Sequence, residues 1–307
     1  MFRVVRQKAV RAAFLITLPF APPAALARVP DVPIDVAERV VLWPQDKVPD
    51  RDPRQGEAVL ELVRVPEPKS DALVIVIGGG SYLTVPFAYD PADMVSTLVS
   101  NGVRCANLRH RCPRPRGKPK HLSAWQDVQR AVRLCRANAA RWGVNPAKIG
   151  VIGFSAGGHC ALLAAVSSQT PAYAPVDEID KTPCHVNFAV PVYPAYALDG
   201  WDNCTKGFTD GRRGHETDWT LPLGSELKFD CATPPIFLLH GEVDKTVPVM
   251  GSLIVFNRLL KMNVAVQLQV VTRRGHGFAD VLYPRLPPSD WRKQVMDWLR
   301  AVGMIGN

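Results

Sequence analysis

Several common protein classes are excluded by what this 307-residue chain does not contain. Its seven cysteines include no C-x-x-C pair, which argues against a zinc site of that spacing and against a thioredoxin-type redox centre. Neither G-x-G-x-x-G nor G-x-x-x-x-G-K-[ST] occurs, so the sequence offers no dinucleotide or P-loop fingerprint. Internal repeats and low-complexity tracts are absent. The one N-terminal apolar run, Ala12–Phe20, is too short to span a bilayer comfortably and is interrupted by Pro19, Pro22 and Pro23. The chain carries a formal net charge of +9, yet its basic residues are spread rather than massed. They are densest in Arg109–Lys120 (RHRCPRPRGKPK), where the prolines and the lack of a recognition-helix pattern indicate a rigid loop, not a nucleic-acid surface.

Met1–Ala27 has the layout of a secretory signal peptide. Arg3, Arg6, Lys8 and Arg11 form a basic start, Ala12–Phe20 an apolar centre, and Ala25-Leu26-Ala27 a small-residue cleavage site. Cleavage there would leave residues 28–307 as one catalytic domain, secreted or periplasmic, without stable membrane insertion; an uncleaved anchor is the alternative. The cysteine count is odd, which leaves at least one thiol free or intermolecular. Cys135 and Cys160 fall in apolar helical patterns, whereas Cys184, Cys204 and Cys231 flank loops and are the better disulfide candidates. Oligomeric state leaves no mark in the sequence.

What is present centres on Lys148–Val166, KIGVIGFSAGGHCALLAAV. The run Ile149–Phe154 suits a buried strand and Ala156–Val166 a helix. Between them lies Gly153-Phe154-Ser155-Ala156-Gly157, a G-x-S-x-G pentapeptide. Such a pentapeptide arises by chance in roughly one chain of this length in ten, so it is the strand before and the helix after that give it weight. A strand reversing into a helix this tightly strains its central residue, exposes the Ser155 hydroxyl and leaves no room for side chains two positions away. The Ala156 N–H then points at any oxygen that becomes negative after attack. A second buried strand, Leu73–Ile77, ends in Gly78-Gly79-Gly80-Ser81-Tyr82, where the N–H of Gly79 or Gly80 can supply the second oxyanion donor.

The rest of the chain alternates. The patterns predict strands at Val59–Val65, Leu73–Ile77, Val103–Leu108, Ile149–Phe154, Val186–Val192, Ile236–His240 and Ala265–Val271. They predict helices at Pro91–Ser100, Ser123–Trp142, Ala156–Val166, Ser252–Lys261 and Asp290–Val302. Ser123 and Gln126 read as a capping box for the long helix. Asp31–Asp52 reads as an irregular arm, and Tyr193–Pro235 as an irregular stretch. This alternation implies an α/β fold, a mostly parallel sheet with helices on both faces and no large cap domain. In such sheets reactive residues sit at the strand carboxyl ends. Asp244 follows Ile236–His240 and His276 follows Ala265–Val271, completing the order Ser155, Asp244, His276. Glu242 and Asp199 are the fallback acids. His240 is expected at its strand end and His159 in the helix after Ser155, while His110, His121, His185 and His215 have no convergent partners.

With those residues assembled, the chain resembles α/β-hydrolase esterases, within them the bacterial acetylxylan esterase-like and feruloyl esterase-like enzymes. The likeness rests on Leu42-Trp43-Pro44, Gly78–Tyr82, Arg111–Pro115, Trp142–Pro146, Gly153–His159, Val192-Tyr193-Pro194 and His240–Asp244. It departs at Ile77 where proline is usual, at the inserted Ser81 and at His110, positions that bear on substrate rather than chemistry. The resemblance implies a nucleophile at Ser155, an orienting acid at Asp244, a base at His276, and no metal or cofactor. The substrate it implies is a small-molecule or oligosaccharide ester, with Tyr82, Tyr193 and Trp201 as candidate binding residues beside Tyr196, Phe208 and Trp219. A prolyl-oligopeptidase-type peptidase is the competing enzyme, although the chain has no room for that family's propeller. A non-catalytic ligand-binding relative is the competing class, although such relatives typically lose a triad member.

Overall fold

The structure is a computed structural model that describes residues 33–200, 219–278 and 290–306. Among the described residues, eight strands form one sheet: β1 (Val36–Val41), β2 (Val59–Val63), β3 (Leu73–Ile77), β4 (Arg104–Arg109), β5 (Ile149–Phe154), β6 (Phe188–Val192), β7 (Ile236–Gly241) and β8 (Val266–Val271). Their order across the sheet is β1-β2-β4-β3-β5-β6-β7-β8. β1 and β2 run antiparallel to their neighbours, and every pairing from β4 onward is parallel. Among the described residues, four α-helices lie between strands, α1 (Asp90–Ser100), α2 (Leu122–Ala137), α3 (Ala156–Val166) and α4 (Val249–Lys261), and α5 (Trp291–Ala301) follows the last strand.

Alternation along each strand divides the core. In β3, Leu73, Ile75 and Ile77 enter the cluster that also holds apolar residues of α2, α3 and α4, while Val74 and Val76 face the cluster of α1 and α5. Successive side chains of a strand leave on opposite faces, so a strand apolar at every position must be covered on both. This is why β3, β5 and β6 are buried throughout. Placing β5 centrally, with α3 directly after it, puts Ser155 at the carboxyl edge of the sheet.

Four sequence expectations change. The arm at Asp31–Asp52 contains β1, an edge strand whose residues alternate between half-buried and exposed; Glu38 and Arg39 in its middle mask the strand pattern. The long helix stops at Ala137, where the Asn138 side chain donates to the Leu134 carbonyl at 2.9 Å, instead of running to Trp142. Ser123 and Gln126 do not cap it: the residue preceding the helix is His121, Ser123 pairs with Gln55, and Gln126 accepts from Arg111 at 2.7 Å. Cys184 and Cys231 are both free, the first buried and the second exposed, and Cys204 lies outside the described residues. No described helix is long and apolar enough to cross a membrane. Met1–Ala27 also lies outside the described residues.

Candidate active site

Ser155 sits at φ 56°, ψ −116°, between the end of β5 and the first residue of α3. A left-handed φ is costly for a residue with a β-carbon and persists where the surroundings over-determine it. Here they do. The Ser155 N–H donates to the Val192 carbonyl at 3.0 Å, and its own carbonyl accepts from His159 and Ala195, each at 3.0 Å. A β-carbon at Gly157 would run into the Ile77 and Gly78 carbonyls, so only glycine lets α3 approach the end of β3 this closely. On the other side of that contact, a β-carbon at Gly79 would lie 3.2 Å from Ser155 Cβ and 3.1 Å from the Phe154 carbonyl. The backbone of the glycine loop at Gly79 therefore lies against Ser155, and the first-turn N–H groups of α3, Ala156 included, lack intrahelical acceptors.

His276 opens a short 3-10 turn, His276–Phe278, beyond β8. Its Nε2 lies 3.0 Å from Ser155 Oγ, and its Nδ1 lies 2.7 Å from Asp244 Oδ2. A carboxylate can only accept, so Nδ1 carries the hydrogen and Nε2 is left to accept from the serine hydroxyl. Asp244 is buried, and its other oxygen accepts from the Thr246 and Val247 N–H groups at 2.8 and 2.9 Å. Burial pushes its pKa up, but the His240 ring 3.5 Å away, the hydrogen bond from His276 and the positive charge either imidazole carries when protonated outweigh that and hold it below the ordinary carboxylate range. His240 is locked behind it: Nε2–H donates to the Val247 carbonyl at 3.0 Å and Nδ1 accepts from Ser252 at 2.8 Å. The fallback acids are engaged elsewhere. Glu242 accepts the Arg273 N–H at 2.8 Å, and Asp199 accepts that of Gly200 at 2.9 Å.

The aromatic residues behave differently from expectation. Tyr82 and Tyr193, read as substrate-binding, are 1% and 3% exposed, so their rings are committed to packing. Tyr82 donates to His159 Nδ1 at 2.9 Å and stacks on Tyr196 at 5.8 Å between centroids. His159 Nε2 in turn lies 3.2 Å from Glu226, whose pKa burial raises but whose contact with His159 brings it down to about 2. Arg114 donates to the Tyr196 hydroxyl at 2.7 Å and to the Ser81 carbonyl at 2.9 Å, fastening the glycine loop to this layer. Tyr193 donates to Asp90, and its ring lies 4.7 Å from that of His276. Trp201 and Phe208 lie outside the described residues, and Trp219 is exposed. Sequence reasoning missed Asp90, Glu226 and Arg114; the nearest signal was the position of Asp90 immediately before the helix expected from Pro91.

A cavity of about 410 Å³ opens beside this layer, lined among others by His121, Trp125, Tyr196 and Glu226. No group of three or more potential metal ligands occurs among the described residues.

A parallel sheet of this order, with a serine at the β5–α3 turn and an imidazole and carboxylate delivered by the loops after β8 and β7, is the α/β-hydrolase fold. Residues 63–259, more than half of the chain, match the BD-FAE family, and the protein belongs to that family. Endo-1,4-beta-xylanase B of Butyrivibrio fibrisolvens is 27% identical over 226 residues, covering 68% of this chain and 32% of that protein. Esterase LipQ of Mycobacterium tuberculosis is 31% identical over 211 residues, 64% of this chain and 48% of that one. The chain thus spans about a third to a half of the length of these two curated relatives. Among solved structures, an acetyl ester-xyloside bifunctional hydrolase from Caldicellulosiruptor lactoaceticus has a TM-score of 0.69 at 28% identity, covering 89% of this chain and 99% of that one.

Proposed function

We propose that the protein is a serine carboxylic ester hydrolase that removes short acyl groups, acetyl foremost, from carbohydrate alcohols. The observation that carries this reading is the unbroken row from Ser155 Oγ through His276 to Asp244, at 3.0 and 2.7 Å, beside a glycine loop. His276 takes the Ser155 proton as the oxygen attacks the ester carbonyl, and Asp244 holds the imidazole tautomer and stabilises its cation. The N–H groups of Ala156 and of Gly79 or Gly80 receive the oxyanion. His276 then protonates the departing alcohol, and water repeats the sequence on the acyl-enzyme. No step calls for a metal or cofactor. Support for the substrate class comes from relatives named acetylxylan esterase and acetyl ester-xyloside hydrolase. The protein is proposed to act outside the cytoplasm after removal of Met1–Ala27, which the mass of the mature N-terminal peptide tests.

The deciding experiment reacts purified enzyme with a fluorophosphonate probe, then compares p-nitrophenyl acetate, butyrate and palmitate, acetylated xylo-oligosaccharides and a prolyl amide. Labelling at Ser155, preference for acetate and release of acetate from the oligosaccharides are expected. Preferred palmitate or interfacial activation would reject the carbohydrate alcohol; faster turnover of the prolyl amide would reject the esterase; no labelling would point to a binding protein.

A further inference from the structure

Near His276, reached through the Tyr193 ring, lies a second buried carboxylate that the row above does not use. Asp90 is the first residue of α1 and is 9% exposed. The Tyr193 hydroxyl donates to its Oδ2 at 2.5 Å, and the Tyr193 ring packs against the imidazole with centroids 4.7 Å apart and planes inclined by 55°. Asp90 Oδ2 also comes within 4.0 Å of where a β-carbon of Gly277 would be, so the carboxylate reaches the backbone that carries His276. Both members are held by strained backbone: Tyr193 has φ 34°, and Tyr89, which presents Asp90, has φ 55° and ψ −127°. Such strain persists only where the surrounding structure enforces it, and it clusters where geometry matters for function.

We propose that Asp90 and Tyr193 are a positioning pair for His276: the tyrosine ring fixes the imidazole plane, and the carboxylate behind it supplies a second negative charge that favours the imidazolium formed during the reaction. The proposal rests on the esterase reading above. The groups facing His276 from the elements packed around it are Asp244 with His240 behind it, Ser155, and Asp90 with Asp93 one turn along α1. Asp93 is paired to Arg292 of α5 at 2.9 Å, and buried Arg274 precedes His276 by two residues. Of the two carboxylates closest to the imidazole, Asp90 is the one that titrates near neutrality. Burial pushes it up to about 6, against the opposing Tyr193 hydrogen bond. Above that pH it is ionised and assists; below it the assistance fades.

The test measures kcat and KM for p-nitrophenyl acetate from pH 5 to 8.5 in wild type, Asp90→Asn, Tyr193→Phe and the double variant. An ionised group within about 10 Å, seen through an effective dielectric of about 20 to 40, is worth about half a pH unit or more to the imidazole. Asp90→Asn is therefore expected to move the acid limb of kcat/KM down by that amount and to lower kcat about 3- to 10-fold, with KM nearly unchanged. Tyr193→Phe keeps the ring but removes the donor, so Asp90 stays protonated to higher pH and the limb moves the same way. The double variant goes no further than Asp90→Asn. Thermal unfolding at pH 8 reports folding, and if Asp90→Asn does not fold, Tyr193→Phe decides alone. Acid limbs within about 0.1 pH unit of wild type in the folded variants, or losses confined to KM, overturn the pair while leaving a Ser155-dependent esterase intact. Activity that survives Ser155→Ala overturns the esterase reading itself.

Discussion

Asp244 and Asp90 are both buried carboxylates flanking the same imidazole, yet their proton affinities are displaced in opposite directions. Burial pushes both up. Asp244 collects two backbone N–H groups, the His276 Nδ1–H and the nearby His240 ring, and ends below the ordinary range. Asp90 collects one phenol and has Asp93 for a neighbour, and ends near neutrality. Donor count and neighbouring charge, rather than depth, decide which carboxylate remains a fixed anion and which responds to pH.

The widest way to sharpen this comparison is to remove what both carboxylates serve. Ser155→Ala is expected to lower kcat on the order of 10⁶-fold while the fold survives, read by steady-state kinetics beside circular dichroism. Retention of more than about one per cent of activity in a folded variant counts against the nucleophile. Asp244→Asn comes next, at up to roughly 10⁴-fold, because an amide presents the wrong tautomer to His276. A loss no larger than that of Asp90→Asn would erase the distinction between the two sites. Glu242→Gln, whose carboxylate serves the Arg273 N–H, should change kcat/KM by less than about threefold. If it cripples the enzyme and Asp244→Asn does not, the third member has been misassigned.

The smallest effects concern stability. Glu226 and Asp244 have folded-state values lowered from the unfolded ones. Their contribution is present above about pH 4.5 and is lost as pH falls toward about 2. Asp90 has the opposite sign: its raised value means that stability present below about pH 4 is lost as pH rises through about 6. Denaturant unfolding at pH 3, 5 and 7.5 should therefore show Glu226→Gln with a flatter acid decline than wild type. Asp90→Asn should lose the small decline between pH 4 and 6. Unchanged pH profiles in both would mean that the carboxylates are relaxed in the unfolded chain as in the folded one.

The two regions were not equally legible in the sequence. The Ser155 elbow is local: strand, pentapeptide and helix lie within nineteen residues from Lys148 to Val166, and each constrains the next. Asp244 and His276 were reachable because strand ends predict where loops deliver side chains. The Asp90–Tyr193 contact joins residues 103 apart, and the Arg114–Tyr196 contact residues 82 apart. No periodicity marks such pairs, and a tyrosine near a cleft reads equally as a sugar platform or as packing. β1 was missed for a related reason. An edge strand half open to water need not be apolar, and its identity comes from its antiparallel partner β2.

At Gly157, α3 meets the end of β3 main chain to main chain, against the Ile77 and Gly78 carbonyls. A spacing set without side chains has no rotamers to sample and nothing that a conservative exchange could retune. The separation between the serine and the glycine loop is thus a fixed dimension of the scaffold, like the gap in a machined jaw. New substrate preferences in this molecule have to be written in the loops that surround that gap. Substitution of Gly157 is expected to disrupt the site, whereas a library directed at the surrounding loops is expected to return altered specificities.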